Sequence, residues 1–324
     1  MRYIFSGNLS LKAPEILMRD KDFKPVSLLC TWIEPGKVEL YNEYKKTGFC
    51  DFIMVDSAAF SVYTGKADVD VDDYIEFINN HPDDADVYVE LDSIAGKWGQ
   101  PRSYEEYVKS AEDSWNTFLY MYDKVVCPDK ILPVFHSGEP LSALSNMLEW
   151  TDPNGNHLDY IGLSAAKDDK NNRNRDTYFE SCLSVIRKSS NPNVKVHLFG
   201  TTALNVLKWM PCYSCDSTTH LKLSSYGYMK SIKYGDVAIS TKCGSTTPIG
   251  KRSASSSTNN FLSSASNEDI DTLCKELTPL NLTLEDVKES HIARCAVNMR
   301  NILKLLETEY KYNPKRSFTR KSLL

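Results

Sequence analysis

Short apolar runs that end on polar or small residues recur along the chain. The clearest one, Phe-Ile-Met-Val over residues 52–55, leads directly into Asp56-Ser57-Ala58-Ala59. An unbroken apolar run of this length is typical of a strand buried on both faces of a parallel sheet. Ligands bind at the carboxyl ends of such strands, where Asp56 would lie. For this segment alone, a strand followed by an Asx turn is the simpler interpretation.

Five later segments repeat the pattern. These segments are 85–93, 131–139, 160–164, 194–202 and 213–219, and each ends on polar or small residues. Asp92 ends the first, His136, Gly138 and Glu139 end the second, and the last surrounds Asp216. Stretches with helical spacing separate them, at 38–46, 71–78, 103–122, 140–150, 177–188 and 203–210, and Ser103 with Glu106 predicts a capping box. This alternation predicts an α/β protein. Six strand ends that deliver such groups to one edge predict a (β/α)8 TIM barrel.

Composition divides the chain into three parts. We expect the catalytic barrel in residues 1–243, with further strands at 1–8, 26–33 and 236–240. Residues 244–267 are rich in Ser, Thr and Asn, which predicts a flexible surface loop. Residues 268–324 predict two helices, 268–277 and 284–310, packed on the barrel, and then a basic tail from Pro314. The charged stretch 165–176 is compatible with a solvated connection or with a phosphate-contacting loop.

The totals exclude several classes of protein. A length of 324 residues, with 41% hydrophobic and 25% charged residues, is ordinary for a globular protein. No apolar run reaches the roughly 18 residues that a membrane span needs, and the N-terminus lacks a signal-peptide pattern. Nine scattered cysteines fit a reducing cytoplasm. A net charge of −5 argues against nonspecific coating of nucleic acid but not against a local basic groove.

Three acids carry the predicted chemistry. Asp56, Asp92 and Asp216 would face one cavity from different strands. Two carboxylates beside one reacting carbon support a double displacement, in which one attacks as nucleophile and the other transfers a proton, as in glycosidases. Metal-dependent hydrolysis is an alternative, although paired-histidine motifs are absent; its ligands would include His136, His197 or His220. We expect no cofactor and no catalytic metal, while Cys212-x-x-Cys215 leaves a zinc site or a redox pair open.

Taken together, these segments resemble the tRNA-guanine transglycosylase family. Asp56-Ser-Ala-Ala-Phe-Ser61 is similar to the Asp-Ser-Gly-Gly-Phe-Gln signature of the tRNA enzymes. It is more similar to the Asp-Ser-Gly-Ala-Phe-Ser version in phage and bacterial relatives that insert 7-deazaguanines into DNA. The motifs match in chain order from about residue 26 to residue 240.

The resemblance implies a TIM barrel that exchanges guanine for a 7-deazaguanine base through a covalent glycosyl-enzyme. Asp216 matches the nucleophile and Asp56 the residue that handles protons. Asp92 matches the carboxylate that recognises the edge of the base. A carboxylate suits this role, because the guanidine-like edge of the purine presents N–H donors that need an acceptor. Other matched positions are expected to contact the base, although a glutamine expected near His136 is absent: Ser57, Phe60, His136, Gly138, Gly162 and Leu163.

One departure favours the DNA-acting branch. The tRNA enzymes carry a C-terminal Cys-x-Cys-x-x-Cys with a distant histidine that holds zinc, and no such spacing occurs here. We therefore expect a DNA substrate, with tRNA as the alternative, and a free base such as 7-cyano-7-deazaguanine. A nucleic-acid-binding barrel without turnover is the competing class. The expected location is the cytoplasm, that of the host if the chain is phage-encoded, and the oligomeric state stays open.

Overall fold

A parallel sheet forms the centre of the computed structural model, which describes residues 1–7, 9, 12–165, 172–240 and 260–309. In this part of the chain the sheet has nine strands: β1 (Arg2–Ser6), β2 (Val26–Thr31), β3 (Cys50–Asp56), β4 (Val87–Val89), β5 (Ile131–Leu132), β6 (Val134–His136), β7 (Tyr160–Ser164), β8 (Lys195–Phe199) and β9 (Ser214–Ser217). Their order across the sheet is β5-β4-β3-β2-β1-β9-β8-β7-β6.

The sheet closes on itself at Pro133. Strands β5 and β6 are two halves of one extended segment, interrupted because proline has no N–H to donate to a ladder. β5 pairs in parallel with β4, and β6 pairs in parallel with β7, so the two ends of the sheet meet. The carbonyl of Pro133 accepts a hydrogen bond from Gly162 N at 2.8 Å. The predicted α/β, TIM-like barrel fold with C-terminal helices is confirmed.

The described residues fall into two compact units. Met1–Ile4 and Ser27–Asp216 belong to the first unit, and Phe5–Val26 with the described part of Ser217–Lys311 forms the second. The first unit contains α2 (Lys37–Lys46), α3 (Ala59–Tyr63), α4 (Val71–Asn80), α5 (Tyr104–Lys124), α6 (Leu141–Glu149), α7 (Asn172–Lys188) and α8 (Leu204–Leu207). The second contains α1 (Lys12–Leu17), α9 (Thr219–Ser225), β10 (Tyr228–Ser231), β11 (Gly235–Ala238), α10 (Asn267–Leu277), α11 (Leu284–Glu289) and α12 (His291–Glu309).

Alternate residues of the barrel strands fill its interior. The buried cluster there consists of Ile4, Phe52, Met54, Val87, Val89, Leu132 and Val134, with Leu29, Tyr160 and Phe199 packed against it. Because side chains alternate along a strand, Asp56 continues the inward positions of Phe52 and Met54. His136 continues those of Leu132 and Val134 in the same way. The apolar interior therefore ends in a layer of polar side chains at the carboxyl edge.

Local sequence signals explain the ends of several helices. Ser103 Oγ accepts the Glu106 N–H and Glu106 accepts the Ser103 N–H, so the predicted capping box of α5 is present. Helix α7 begins earlier than expected, because residues 172–176 of the predicted charged loop form its first turns. Helix α3 follows Ala58 directly.

One expectation for the second unit was wrong, and another was right only in part. The single helix predicted over 284–310 is broken at Ser290, whose backbone is extended. The buried Arg294 guanidinium donates to the carbonyls of Val287 and Lys288, which have lost their helical partners at this break. The strand predicted at 236–240 is the hairpin partner of β10, with antiparallel pairing, and not a strand of the barrel.

Some predicted features lie outside the described residues. These are residues 244–259 of the Ser-rich loop, residues 166–171 of the charged stretch and the basic tail from Pro314. Within the described ranges, no helix combines the length and the apolar character that crossing a membrane requires. Packing of the C-terminal helices on the barrel stays a prediction.

Candidate active site

A cavity of about 150 Å³ opens at the carboxyl ends of the barrel strands. Asp56, Asp92 and Asp216 all line it, so the structure brings the three predicted acids together from β3, from the segment after β4 and from β9. His136 and Phe60 also line it, as does the aromatic ring of Phe199. The cavity is smaller than the roughly 300–1,000 Å³ of drug-sized sites, which suits a single small ring system.

A backbone donor holds Asp216. Its Oδ1 accepts the Gly200 N–H at 2.7 Å, and the residue is only 9% exposed. His197 Nε2 lies 3.4 Å from the same oxygen, a separation too long for a well-formed hydrogen bond but close enough for an electrostatic contact. His197 Nδ1 contacts Ser214 Oγ at 2.6 Å, and the Ser214 hydroxyl also contacts the Tyr160 hydroxyl. This chain of polar groups fixes the imidazole beside the carboxylate.

Across the cavity, Asp92 is paired with a histidine. His136 Nε2 lies 2.9 Å from Asp92 Oδ2, and His136 Nδ1 lies 3.3 Å from Glu139 Oε1. Burial disfavours the charged imidazole, but its hydrogen bonds and charge interactions with Asp92 and Glu139 outweigh burial and raise the pKa of His136 to about 10. At neutral pH the site therefore contains an imidazolium between two acids.

Further polar contacts fix Glu139, the outer member of this trio. The backbone N–H of His136 donates to Glu139 Oε2 at 2.9 Å, and Ser110 Oγ donates to Glu139 Oε1 at 3.2 Å. Ser110 Oγ also contacts the carbonyl of Ser93 at 2.8 Å. Glu139 is thus held by its own turn and by α5, and its carboxylate cannot swing away from His136 without losing these bonds.

Another acid, Glu90, is buried beneath the trio. Its Oε1 accepts the Val134 N–H at 2.6 Å, taking the place of a ladder partner beside Pro133. Burial raises the pKa of Glu90 well above its ordinary value, and the nearby acids act in the same direction. Glu90 thus bridges the interrupted strand through its bond to Val134, and its raised pKa disfavours a further negative charge beneath the site.

A strained turn follows Asp56. Ala58 has φ +70°, in the left-handed region that favours glycine, and its carbonyl begins α3 by accepting the Ser61 and Val62 N–H groups. The Ser57 carbonyl accepts the Trp32 indole N–H at 3.1 Å, while the Ser57 side chain is fully buried. Ser57 thus lies behind the cavity wall, and the turn it helps to form places Phe60 at the cavity.

Aromatic side chains line the mouth of the cavity. Phe60, Tyr63 and Trp98 pack edge-on or tilted against one another, with ring centroids 5.5–6.4 Å apart. Arg102 lies over the Tyr63 ring and donates to its hydroxyl at 2.7 Å. Trp98 is 51% exposed, which is unusual for so large an apolar residue. Sequence reasoning missed Tyr63, Trp98 and Arg102, although the Gly- and Trp-containing loop before α5 was a usable signal.

The two predicted glycines shape the walls of the site. A Cβ on Gly138, where φ is +97°, would lie 2.3 Å from the Tyr107 ring, and a Cβ on Gly162 would lie 2.5 Å from the Phe199 ring. Gly138 lines a neighbouring cavity of about 610 Å³. Gly162 and the fully buried Leu163 lie behind the wall that Phe199 forms. A larger residue at either glycine would move a ring that lines the site.

The other candidate ligands are dispersed. Cys212 and Cys215 are buried, and their sulfurs lie 3.5 and 4.0 Å from Met1 Sδ. His220 belongs to the second unit, where burial lowers its pKa to about 3 and it packs edge-on against Phe5. Within the described ranges, no group of three or more His, Cys, Asp and Glu side chains is arranged to hold a metal ion.

The chemistry of the cavity follows from its residues. No protein-family model matches the chain, and no curated protein matches it in sequence. A carboxylate fixed by a backbone N–H, a second acid on another strand and a third paired with a histidine can carry out nucleophilic substitution with proton transfer at a bound ring. The aromatic mouth can stack a planar group at the entrance.

Proposed function

We propose that the chain is a transglycosylase that exchanges guanine in DNA for a 7-deazaguanine base, such as 7-cyano-7-deazaguanine. The observation that carries this proposal is the convergence of Asp56, Asp92 and Asp216 on one small cavity. The motifs that resemble those of the guanine transglycosylases include these three acids, and the resemblance implies a role for each. The geometry is compatible with each role. The proposed intermediate is a covalent bond between Asp216 and the sugar.

Asp216 acts as the nucleophile. One carboxylate oxygen forms a bond to C1′ while the bond from C1′ to the guanine nitrogen breaks, and the anomeric centre inverts. Asp56 donates the proton that the leaving base takes up, and later accepts the proton that the incoming base loses. Attack by the incoming nitrogen on C1′ then breaks the bond to Asp216 and inverts the centre again. The product therefore keeps its β configuration.

Asp92 recognises the base. The Watson–Crick edge of guanine and of 7-deazaguanines presents adjacent N–H donors, which an ionised carboxylate accepts. Among the described residues, the partner of the Asp92 carboxylate is His136, on Oδ2. The remaining acceptor capacity of Asp92 is thus available to a ligand in the cavity that it lines.

The mouth supports a polymeric substrate. A nucleotide must leave the duplex stack before its C1′ can reach a buried acid. Phe60, Tyr63 and Trp98 present aromatic surface at the entrance, and bases stack on such surface with little sequence preference. The absence of the C-terminal cysteine motif of the tRNA enzymes favours DNA over tRNA.

The experiment is a base-exchange assay. The protein is incubated with labelled guanine or 7-cyano-7-deazaguanine and with single-stranded DNA, duplex DNA or tRNA, and the nucleosides are analysed after digestion. We expect incorporation into DNA, at least as fast in single strands as in duplex. Incorporation into tRNA alone would identify the tRNA enzyme instead. Binding of nucleic acid without exchange would identify the barrel that lacks turnover.

A further inference from the structure

The ring of His136 faces a carboxylate on each side. Asp92 Oδ2 lies 2.9 Å from Nε2 and Glu139 Oε1 lies 3.3 Å from Nδ1. A neutral imidazole has one N–H and one lone pair, so it can donate to only one of two ionised acids. This geometry is satisfied when both nitrogens carry protons. Asp92, the carboxylate that is proposed to recognise the base, is therefore hydrogen-bonded to a positively charged imidazolium.

We propose that His136 is a positioning residue, clamped between Asp92 and Glu139, that fixes Asp92 as an ionised acceptor for purines with a donor edge. The part that concerns the base rests on the proposed function. His136 does not contact the base in this arrangement, because both of its N–H groups are directed at acids. Its effect reaches the ligand through Asp92.

Glu139 is the second half of the clamp. It contacts Nδ1 of the His136 ring, and it is itself fixed by the backbone N–H of His136 and by Ser110 Oγ. Removing its charge leaves the pair of His136 and Asp92 in place but withdraws one of the two acids that favour the imidazolium. Glu139 thus determines how far into the alkaline range His136 keeps its proton.

The groups around His136 agree with this assignment. Asp92 and Glu139 contact the ring directly, and Glu90 interacts with it electrostatically from beneath. Tyr178 on α7 lies near Glu139, and burial raises the pKa of its hydroxyl, so it remains uncharged. Burial likewise raises the pKa of Glu90, which disfavours its charged form. The ring of His136 thus lies between the carboxylates of Asp92 and Glu139, and both of its nitrogens face an acid.

The clamp predicts a preference among purines. An ionised carboxylate accepts two N–H groups from guanine or a 7-deazaguanine but repels the lone pair that adenine presents at its N1. Without the adjacent positive charge, Asp92 would share a buried region with Glu139 and lose its fixed partner. Loss of His136 should therefore weaken binding of donor-edge bases and reduce the discrimination against adenine.

The test compares the wild type with His136→Gln and Glu139→Gln. His81→Gln is the matched control, because His81 also contacts an acid, Asp84, at 2.7 Å but is partly exposed and does not line the cavity. Binding of 7-cyano-7-deazaguanine and of adenine is measured by calorimetry from neutral pH to about pH 10. Protonation of His136 is followed separately, without ligand, by the NMR signals of its imidazole.

We expect His136→Gln to weaken binding of 7-cyano-7-deazaguanine by about 10- to 100-fold, the usual range for a charge-assisted contact. Glu139→Gln should bind the base nearly as tightly as the wild type at neutral pH. As the pH is raised, the variant should lose affinity at a lower pH than the wild type does, and the pKa of His136 measured by NMR should be lower in the variant to the same extent. The base itself ionises identically in every experiment, so the variants are compared with the wild type at each pH.

Other outcomes separate the two proposals. If the wild type binds the base and both clamp variants bind it equally at every pH, the positioning role is wrong while the proposed function stands. If the wild type binds no purine, the proposed function fails, and the clamp is then judged by NMR alone. A His136 that titrates near its ordinary pKa in the wild type would overturn the clamp in either case.

Discussion

The two sides of the cavity hold their acids in different ways. Asp216 accepts a backbone N–H from Gly200 and lies beside His197, which is fixed by Ser214 and Tyr160. Asp92 instead is paired with an imidazolium that a second acid also holds. A backbone donor positions a carboxylate without adding a formal charge, whereas an ion pair places a formal positive charge beside it.

This difference matches the two proposed roles. A nucleophile must leave its resting partner and form a bond to carbon, and a neutral backbone donor opposes that less than a salt bridge does. A recognition group must stay ionised and still, which a buried ion pair with further hydrogen bonds ensures. Substitutions on each side should therefore differ in kind as well as in size.

The largest effect is expected at Asp216. The Asp216→Asn side chain can still accept the Gly200 N–H but is a poor nucleophile, so base exchange should fall by on the order of 10³-fold or more. Trapping without incoming base, followed by denaturing electrophoresis, should show the covalent strand in the wild type and none in the variant. An adduct formed at the normal rate in Asp216→Asn would reassign the nucleophile to Asp56.

A smaller loss is expected at Asp56. Asp56→Asn keeps the shape of the side chain but cannot transfer a proton, so both half-reactions should slow by about 10²-fold. Affinity for the base should change little, since proton transfer belongs to the transition state. Single-turnover measurements of adduct formation and of its resolution check this. A variant that loses binding and keeps its rate would place Asp56 in recognition instead.

The ion-paired side should make stability depend on pH. The pKa of His136 rises from 6.5 in the unfolded chain to about 10 in the fold, so its contribution is complete below pH 6.5 and is lost as pH rises through about 10. That contribution is on the order of a few kcal/mol. Urea unfolding across the alkaline range should give a shallower loss for His136→Gln than for the wild type, with His81→Gln unchanged.

The mouth should contribute to binding of the polymer but not to chemistry. Trp98→Ala removes stacking surface worth about 1–3 kcal/mol per base, so affinity for single-stranded DNA should fall about 5- to 150-fold. Tyr104→Ala is the matched control, because Tyr104 is 64% exposed and does not line the cavity. Fluorescence anisotropy with labelled oligonucleotides measures both. Equal losses in the two variants would indicate a general effect of exposed aromatic residues.

The smallest expected effect concerns the turn after Asp56. Ala58→Gly should raise the free energy of unfolding by about 1 kcal/mol, because glycine tolerates φ +70° without steric cost. The neighbouring Ala59→Gly should lower it by a similar amount, since Ala59 begins a helix. Urea unfolding with an unchanged m-value measures both. Destabilisation by Ala58→Gly would show that the turn is not strained.

Local patterns in the sequence determined the strands, the main helices and the placement of the acids. The apolar run before Asp56 predicts a strand, and the alternation of side chains then aligns that acid with Phe52 and Met54. The capping box at Ser103 is equally local, because its partners are three residues apart. Such features need no knowledge of distant residues, and so periodicity and spacing are sufficient to predict them.

Tertiary structure decided the features that join distant segments. The clamp brings Asp92 to His136, 44 residues later, and the mouth brings Trp98 to Phe60, 38 residues away. The break at Ser290 also escaped periodicity, because the buried Arg294 compensates it and the apolar spacing continues past it. Pairing of this kind depends on barrel register and loop path, which side-chain periodicity does not encode.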